Sequence, residues 1–339
     1  MKLYAAIDLH SNNSVLVVLD ERDRIVREKR LPNDLRIILA ELAPYRRRIQ
    51  AIAVESTFNW YWLVDGLMEA GYAVKLVNTA AVKVYDGLKY TGDEHDARHL
   101  AHLLRLGVLP TGYIYPKEER AVRDLLRKRG QLVRCRTTQI LSIQNLVSRN
   151  SGKGISTADI RELDEKKIAD ISGGNKERAL AIESNLAVMR CLDEQIRVVE
   201  RTVLAQARLK PEFKMLLTVD GIWNILAMTI MYEAGTMERF GKVGEFASYG
   251  RCVSSSRWSN DKKKGEGNRK NGNKHLAWAF VEAAHFAIRS NERIRRYFQR
   301  KKAKRNGIIA IKAVAHKLAR ACYHVLKDQV PFDEARAFA

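Results

Sequence analysis

A chain of 339 residues exceeds what one hydrophobic core usually organises, and with 46% hydrophobic residues it reads as a globular protein of two or three domains. Sixty Lys and Arg against 39 Asp and Glu leave a formal charge of +21, a field that gathers polyanions and opposes self-association, so nucleic acid is the expected partner. Cys135, Cys191, Cys252 and Cys322 stand far apart, without a CxxC pair or zinc-spaced histidines, and no leader or apolar run of roughly 18 residues is present; the expectation is a cytoplasmic, nucleoid-associated protein with no membrane partner.

Residues 3–8, 14–20 and 24–29 are short apolar or alternating runs separated by polar turn residues such as Asn12-Asn13 and Asp20-Glu21, which predicts a three-strand meander. A helix is expected at 34–42, a buried strand at 49–54, a helix at 60–70, a strand at 73–77 and a short helix at 82–88, giving the order β-β-β-α-β-α-β-α. Asp8 ends the first strand and Glu55 follows the fourth. A carboxylate at the end of an apolar strand is either a turn residue or a ligand held on a rigid element.

The stretch from Tyr90 to Ala101 then turns a loop into an apolar-periodic helix. Asp93 and Asp96, three residues apart, share one face of its first turn, and Thr91 with Glu94 has the spacing of a capping box. Acidic residues there also offset the helix macrodipole, which needs no ligand. In open α/β sheets sites form beyond the carboxyl ends of the strands, where Asp8 and Glu55 fall. Four converging carboxylates would repel one another unless divalent cations neutralise them. Hard oxygen donors suit Mg²⁺ or Mn²⁺, and two such ions could activate a nucleophile and stabilise a leaving oxygen in phosphodiester chemistry. Asp8 on the first meander strand, Glu55 after the fourth and the Asp93-x-x-Asp96-Ala97 turn resemble the RuvC/RNase H-like DEDD domain of one insertion-sequence transposase family.

From Pro116 the texture changes. Leu126, Val133, Ile140 and Val147 recur every seven residues in one long charged helix, and Ile182, Met189, Ile196 and Val203 do so in another, across a polar stretch at 150–175. The two are expected to pair in a coiled coil. Arg129 and Arg136 fall at core-like positions and interrupt the seam, while Arg120, Arg123, Arg127, Lys128 and Arg134 either track a phosphate backbone or form a solvated face.

Residues 216–222, followed by a helix at 225–233, resemble the hairpin entry of helix-hairpin-helix modules, with Asp220 where proline is usual. Phe240, Phe246, Tyr249 and Gly250 lead into a segment holding Ser254, Ser255, Ser256, Ser259 and Lys262-Lys263-Lys264, then Gly272-Asn273 before a helix at 275–288. A serine beside clustered lysines has the ingredients of a phosphate-directed nucleophile, since cations lower the cost of charge on Oγ; a solvated loop has the same composition. Residues 289–326 are helical and heavily basic.

Across essentially the whole chain, the acidic tetrad, the paired helices and the Ser/Gly-Asn segment in this order resemble the insertion-sequence one-ten family, including its one-triple-one branch. That resemblance implies a fold that is α/β plus α: a RuvC-like DEDD domain at 1–115, a paired-helix region at 116–210 and a mainly helical transposase domain at 211–330. It implies Mg²⁺ or Mn²⁺ on Asp8, Glu55, Asp93 and Asp96, and Ser259 as nucleophile, with Ser254, Ser255 and Ser256 as rival hydroxyls because the family's Leu-x-Pro is Cys252-Val253-Ser254 here. It further implies a recombinase acting on donor and target DNA, guided by a structured bridge RNA and working as a dimer, or a tetramer in synapsis. Two rivals stand beside it: a RuvC-type metal-dependent junction nuclease in which Ser259 is inert, and a non-enzymatic basic scaffold that binds RNA or DNA.

Overall fold

Three consecutive strands open the chain, β1 (Leu3–Leu9), β2 (Asn13–Asp20) and β3 (Ile25–Pro32), each antiparallel to the one before. The turn between β2 and β3 is set by Asp20, whose buried carboxylate accepts from the backbone N–H groups of Arg22 and Arg24 at 2.8 and 2.9 Å. Two further strands, β4 (Ile49–Glu55) and β5 (Val74–Val77), add in parallel on the other side of β1, so the sheet order is β3-β2-β1-β4-β5. This is the RNase H-like arrangement the meander and its two followers predict. The computed structural model describes residues 1–82, 92–253, 256–266 and 271–339, with backbone alone at 256–258, 263 and 266. The helix expected at 82–88 therefore lies outside the described residues, except for its first position.

The period of two along a strand sorts the sheet into two faces. Leu3, Ala5, Ile7 and Leu9 of β1, with Leu16, Val18, Ile52 and Val54, pack against Ile38 and Leu42 of α1 (Leu35–Leu42) and Leu63 and Leu67 of α2 (Tyr61–Glu69). Ala6, Val15, Val17 and Ala53 face the other way and cluster with Ala97, Leu100 and Ala101 of α3 (Asp93–Leu106). Alanines on both partners let that helix lie close to the sheet. Even the edge strand obeys the alternation: Arg27 and Lys29 of β3 pair with Glu41 of α1, whereas Glu28 and Arg30 pair with Arg98 and Asp93 of α3.

Contacts within the chain gather it into two units, Met1–Lys117 and Glu118–Ala339. The second contains nearly all of the long helix α4 (Lys117–Ser151) and its mate α7 (Lys176–Ala207). Between them the stretch read as polar folds as α5 (Thr157–Arg161), closed by a Ser156/Asp159 capping box, and α6 (Glu165–Ser172), capped by Asp164. Ile160, Leu163 and Ile168 from this segment join Ile140, Ile143 and Val147 of α4 and Ile182, Leu186 and Met189 of α7 in one apolar cluster. At the other end Leu126 and Val203 enter a different core. The middle of the seam is ionic: Arg129 pairs with Glu200 at 2.8 Å and Arg136 with Asp193 at 2.6 Å. The arginines at core-like positions thus have matched acids on the facing helix.

The remaining elements are α8 (Pro211–Leu216), α9 (Asn224–Ala234), α10 (Val243–Tyr249), a hairpin of β6 (Ser256–Ser259) and β7 (Lys262–Glu266), α11 (Lys274–Ser290), α12 (Glu292–Lys304), α13 (Gly307–Lys327) and α14 (Glu334–Ala337). Helix α9 is apolar and buried all round, and with Phe246, Phe280 and Leu318 it forms the centre of the second unit. Gly221 has φ +81°, and a Cβ there would lie 2.3 Å from the carbonyl oxygen of Ala283, so this glycine exists for close packing against α11. The turn that resembles a helix-hairpin-helix entry thus lies against a helix of the same unit. No helix among the described residues is long and apolar enough to cross a membrane.

One buried carboxylate ties α4, α9 and α11 together. Glu233 of α9, 1% exposed, accepts from Arg123 at 3.0 Å, from Arg127 at 2.6 and 2.9 Å, and from the Asn273 side-chain amide at 2.7 Å. The same Asn273 caps α11 through the N–H groups of His275 and Leu276. Two of the arginines proposed to track phosphate are therefore engaged by this carboxylate, Arg123 buried and Arg127 partly exposed. Burial raises the Glu233 pKa, but the Arg127 hydrogen bond, the charges of Arg123 and Arg127 and the Asn273 amide outweigh it and hold the group at about 2. Its folded value lies below the unfolded one, so its contribution is complete above about pH 4.5 and fades as pH falls toward 2. Glu233→Gln is expected to cost about 3 kcal/mol at pH 7 in urea unfolding, with the gap to wild type narrowing below pH 4.5.

Candidate active site

Asp8 is the last residue but one of β1, and Glu55 is the last of β4. Ile7 and Val54 are register partners in the parallel pair, which sets the two carboxylates side by side one residue further on. Both belong to the face covered by α3, as do Ala6 and Ala53 two residues earlier. Asp8 is 3% exposed. Burial, then a hydrogen bond with Asp8, then the charges of Asp8 and Asp96, push the Glu55 carboxyl up to about 8. At neutral pH, then, burial first and the neighbouring carboxylates second keep a proton on Glu55.

Helix α3 supplies the other two carboxylates from its first turn. Its N-cap is Gly92, in extended conformation and without a side-chain cap; Thr91, proposed as half of a capping box, lies outside the described residues. Asp93 reaches the Arg30 guanidinium at 2.8 Å and His10 Nε2 at 3.3 Å. The Arg30 hydrogen bond, opposed by some burial and helped by the charge of His10, holds the Asp93 carboxyl below its usual range. Asp96 is half exposed and lies near enough to Glu55 to raise it.

Sequence reasoning missed His10 and Arg30. His10 Nε2 stands 3.3 Å from Asp8 and 3.3 Å from Asp93, and one ligand atom of each of these residues lies within 4.8 Å of the others. The expectation of oxygen donors alone did not include this imidazole. The signal was present in the spacing, since Asp8-x-His10 puts both residues on one face at a strand end. Arg30 was hidden because its position is set across strands, through Asp8 opposite Val15 and Val15 opposite Arg30.

The fit to a divalent cation rests on two observations. Glu55 retains a proton that a nearby cation would displace. His10 Nε2 is buried without a hydrogen-bond partner although two carboxylate oxygens lie 3.3 Å away. Hard oxygen donors with one imidazole are compatible with Mg²⁺ or, better, Mn²⁺.

In the second unit, Ser259 ends β6, is exposed, and pairs in register with Lys262. Asn260 and Asp261 between them have φ of 50° and 57°, the two left-handed residues of a type I′ turn. The loop expected here is a β-hairpin. Ser254 and Ser255 lie outside the described residues, and Ser256 opens β6 at the opposite end of the strand from Ser259. Gly272, with φ +88° and a virtual Cβ 2.5 Å from the Tyr249 carbonyl oxygen, returns the chain to α11, and its own carbonyl accepts from the Arg251 guanidinium at 2.9 Å. Gly272-Asn273 thus joins the start of α11 to the buried Glu233 network.

Known proteins repeat this division. Residues 5–150 match the family model described as a transposase of the DEDD, IS110 type, and residues 213–299 match the transposase IS116/IS110/IS902 family. A protein of Pseudomonas aeruginosa described as a probable family 20 transposase is 23% identical over 291 residues, which is 82% of this chain and 84% of that protein. With the acidic cluster in the first matched region and the serine hairpin in the second, the chain carries the transposase domains of the IS110/IS116/IS902 family and is a DNA transposase or recombinase.

Proposed function

We propose that this transposase excises and inserts its own element using Ser259 as nucleophile and the cluster of Asp8, Glu55, Asp93 and Asp96 as a Mg²⁺ or Mn²⁺ site, with a structured bridge RNA pairing to donor and target DNA. The observation that carries the reading is the convergence of those carboxylates on the α3 face of the sheet, where burial, the Asp8 hydrogen bond and the charges of Asp8 and Asp96 hold Glu55 at about 8. A divalent cation bound there supplies the positive charge that offsets the phosphate during substitution at phosphorus.

The residues divide the remaining work. Ser259 Oγ attacks a backbone phosphorus; the P–Oγ bond forms, the bond to one sugar oxygen breaks, and that oxygen leaves as a hydroxyl, taking up a proton equivalent to the one serine loses. Because the phosphodiester is conserved as a phosphoserine link, an incoming strand's hydroxyl can reverse the step without another energy source. Exposed Lys262 and Lys264 beside the turn lower the cost of charge on phosphate and Oγ. The charge excess of +21 favours both nucleic acids, with the protein reading backbone and shape while base pairing to RNA reads sequence. Synapsis of two DNAs calls for a dimer at least and a tetramer when both are held, and the paired helices of 116–210 are the assembly element in this reading. The working compartment is the cytoplasm, at the nucleoid.

A nicked suicide substrate tests the nucleophile. Denaturing gels are expected to show a shifted, protease-sensitive DNA band with the parent protein, and none with Ser259→Ala, whose stability should change by less than about 0.5 kcal/mol because the serine is exposed. Asp96→Asn is expected to abolish cleavage while leaving the thermal transition in place. Loss of the adduct only in Ser254→Ala, Ser255→Ala or Ser256→Ala would move the nucleophile to that serine. Cleavage without an adduct in any protein would leave a water-dependent nuclease.

A further inference from the structure

We propose that His10 Nε2 binds the divalent cation directly, beside Asp8 and Asp93, and biases this centre toward Mn²⁺ over Mg²⁺. The proposal rests on the metal-site reading above and adds to it a nitrogen ligand.

His10 is held where a ligand has to be held. Its carbonyl accepts from the side-chain amides of Asn33 at 2.9 Å and Asn59 at 3.1 Å, and its backbone N–H bonds to the Asn13 carbonyl at 2.9 Å. Three separate segments therefore fix the backbone just beyond β1. The ring then lies between two carboxylates contributed by different elements, Asp8 from the strand and Asp93 from α3, at 3.3 Å from each.

Those distances admit two explanations, and the geometry separates them. An imidazole hydrogen-bonded to a carboxylate would aim its N–H at one oxygen. Here Nε2 is shielded from solvent and stands equally far from both carboxylate oxygens, with a well-aligned hydrogen bond to neither. Donor atoms around an octahedral cation at about 2.1–2.2 Å stand about 3 Å apart along each edge, close to the spacing seen. Binding a metal requires the neutral ring, whose Nε2 lone pair a cation shared with the two carboxylates would take in place of a proton. Arg30, which grips Asp93 at 2.8 Å, fixes the third donor from the side.

The identity of the donor has a consequence for metal choice. Mg²⁺ takes oxygen ligands almost exclusively, whereas Mn²⁺ accepts an imidazole readily. A site of carboxylates alone would not discriminate in this way.

Electron spin echo spectroscopy of the full-length protein loaded with Mn²⁺ reads the proposed bond. The wild type is expected to show ¹⁴N modulation from a directly bound imidazole, changed to the ¹⁵N pattern when histidine is isotopically replaced, and His10→Ala is expected to lose it although other histidines remain. Isothermal titration should give at least a tenfold loss of Mn²⁺ affinity in His10→Ala and less than a threefold loss for Mg²⁺. Mn²⁺ bound with an affinity that Asp8→Asn weakens, yet without coordinated nitrogen in the wild type, would overturn the proposal while keeping the carboxylate site. Mn²⁺ binding indifferent to Asp8→Asn would overturn both. The wild-type spectrum decides the matter even if a variant does not fold.

Discussion

Electrostatic repulsion among carboxylates is the constraint around which the first unit is built. Asp8 and Glu55 stand side by side because Ile7 and Val54 are locked in parallel register. That register is fixed in turn by the burial of Leu3, Ala5, Ile7 and Leu9 on one face and Ala6 on the other. A slip of one residue would turn every apolar side chain to the wrong face, at a cost far above that of crowding two acids. The sheet therefore imposes the proximity, and the cluster answers by retaining a proton on Glu55. Stored unfavourable charge of this kind is relieved by a cation, so the geometry that strains the protein alone is the geometry that selects its partner.

The second unit solves the opposite problem, an excess of positive charge on long helices. It does so with matched acids. Arg129 and Arg136 would disrupt an apolar seam, yet each meets a carboxylate on α7, leaving hydrophobic clusters at the two ends of the helix pair. Glu233 is the most buried of these acids, and because Asn273 shares it with Arg123 and Arg127, the start of α11 is fixed to α4 and α9 by one network. The hairpin carrying Ser259 thus precedes a rigid anchor, while its own turn, Asn260-Asp261, stands exposed to an incoming strand.

What the sequence disclosed, and what it withheld, follows from the range of the interactions. The strands were readable because their side chains alternate locally, and Asp8 and Glu55 stood out as single carboxylates ending apolar runs. His10 was equally local, two residues from Asp8, but was passed over because hard oxygen donors were expected to stand without nitrogen. Arg30 could not be read, since its place beside Asp93 depends on two strand registers. In the helices, the heptad and its interruption were both visible, whereas Glu200 and Asp193 as partners required knowing how two antiparallel helices align. The hairpin at Ser259 was taken for a loop because Lys262-Lys263-Lys264 lacks apolar alternation; Asn260-Asp261, favoured in type I′ turns, was the overlooked signal. Helices α5 and α6 escaped because five and eight residues are too few for periodicity, although Ser156 with Asp159 has the capping-box form.

If the carboxylates are assembled to receive a cation, binding must stabilise the folded state and the effect must pass through Asp8. Thermal unfolding of wild type and Asp8→Asn, each followed across a Mg²⁺ titration at constant ionic strength, measures this without reference to DNA or catalysis. The account predicts a midpoint that rises with Mg²⁺ in the wild type, by about 2.7 kcal/mol of stability at a hundred times the dissociation constant, and a variant that is more stable than wild type in EDTA yet unmoved by Mg²⁺. An equal rise in both proteins, or none in the wild type, would contradict it.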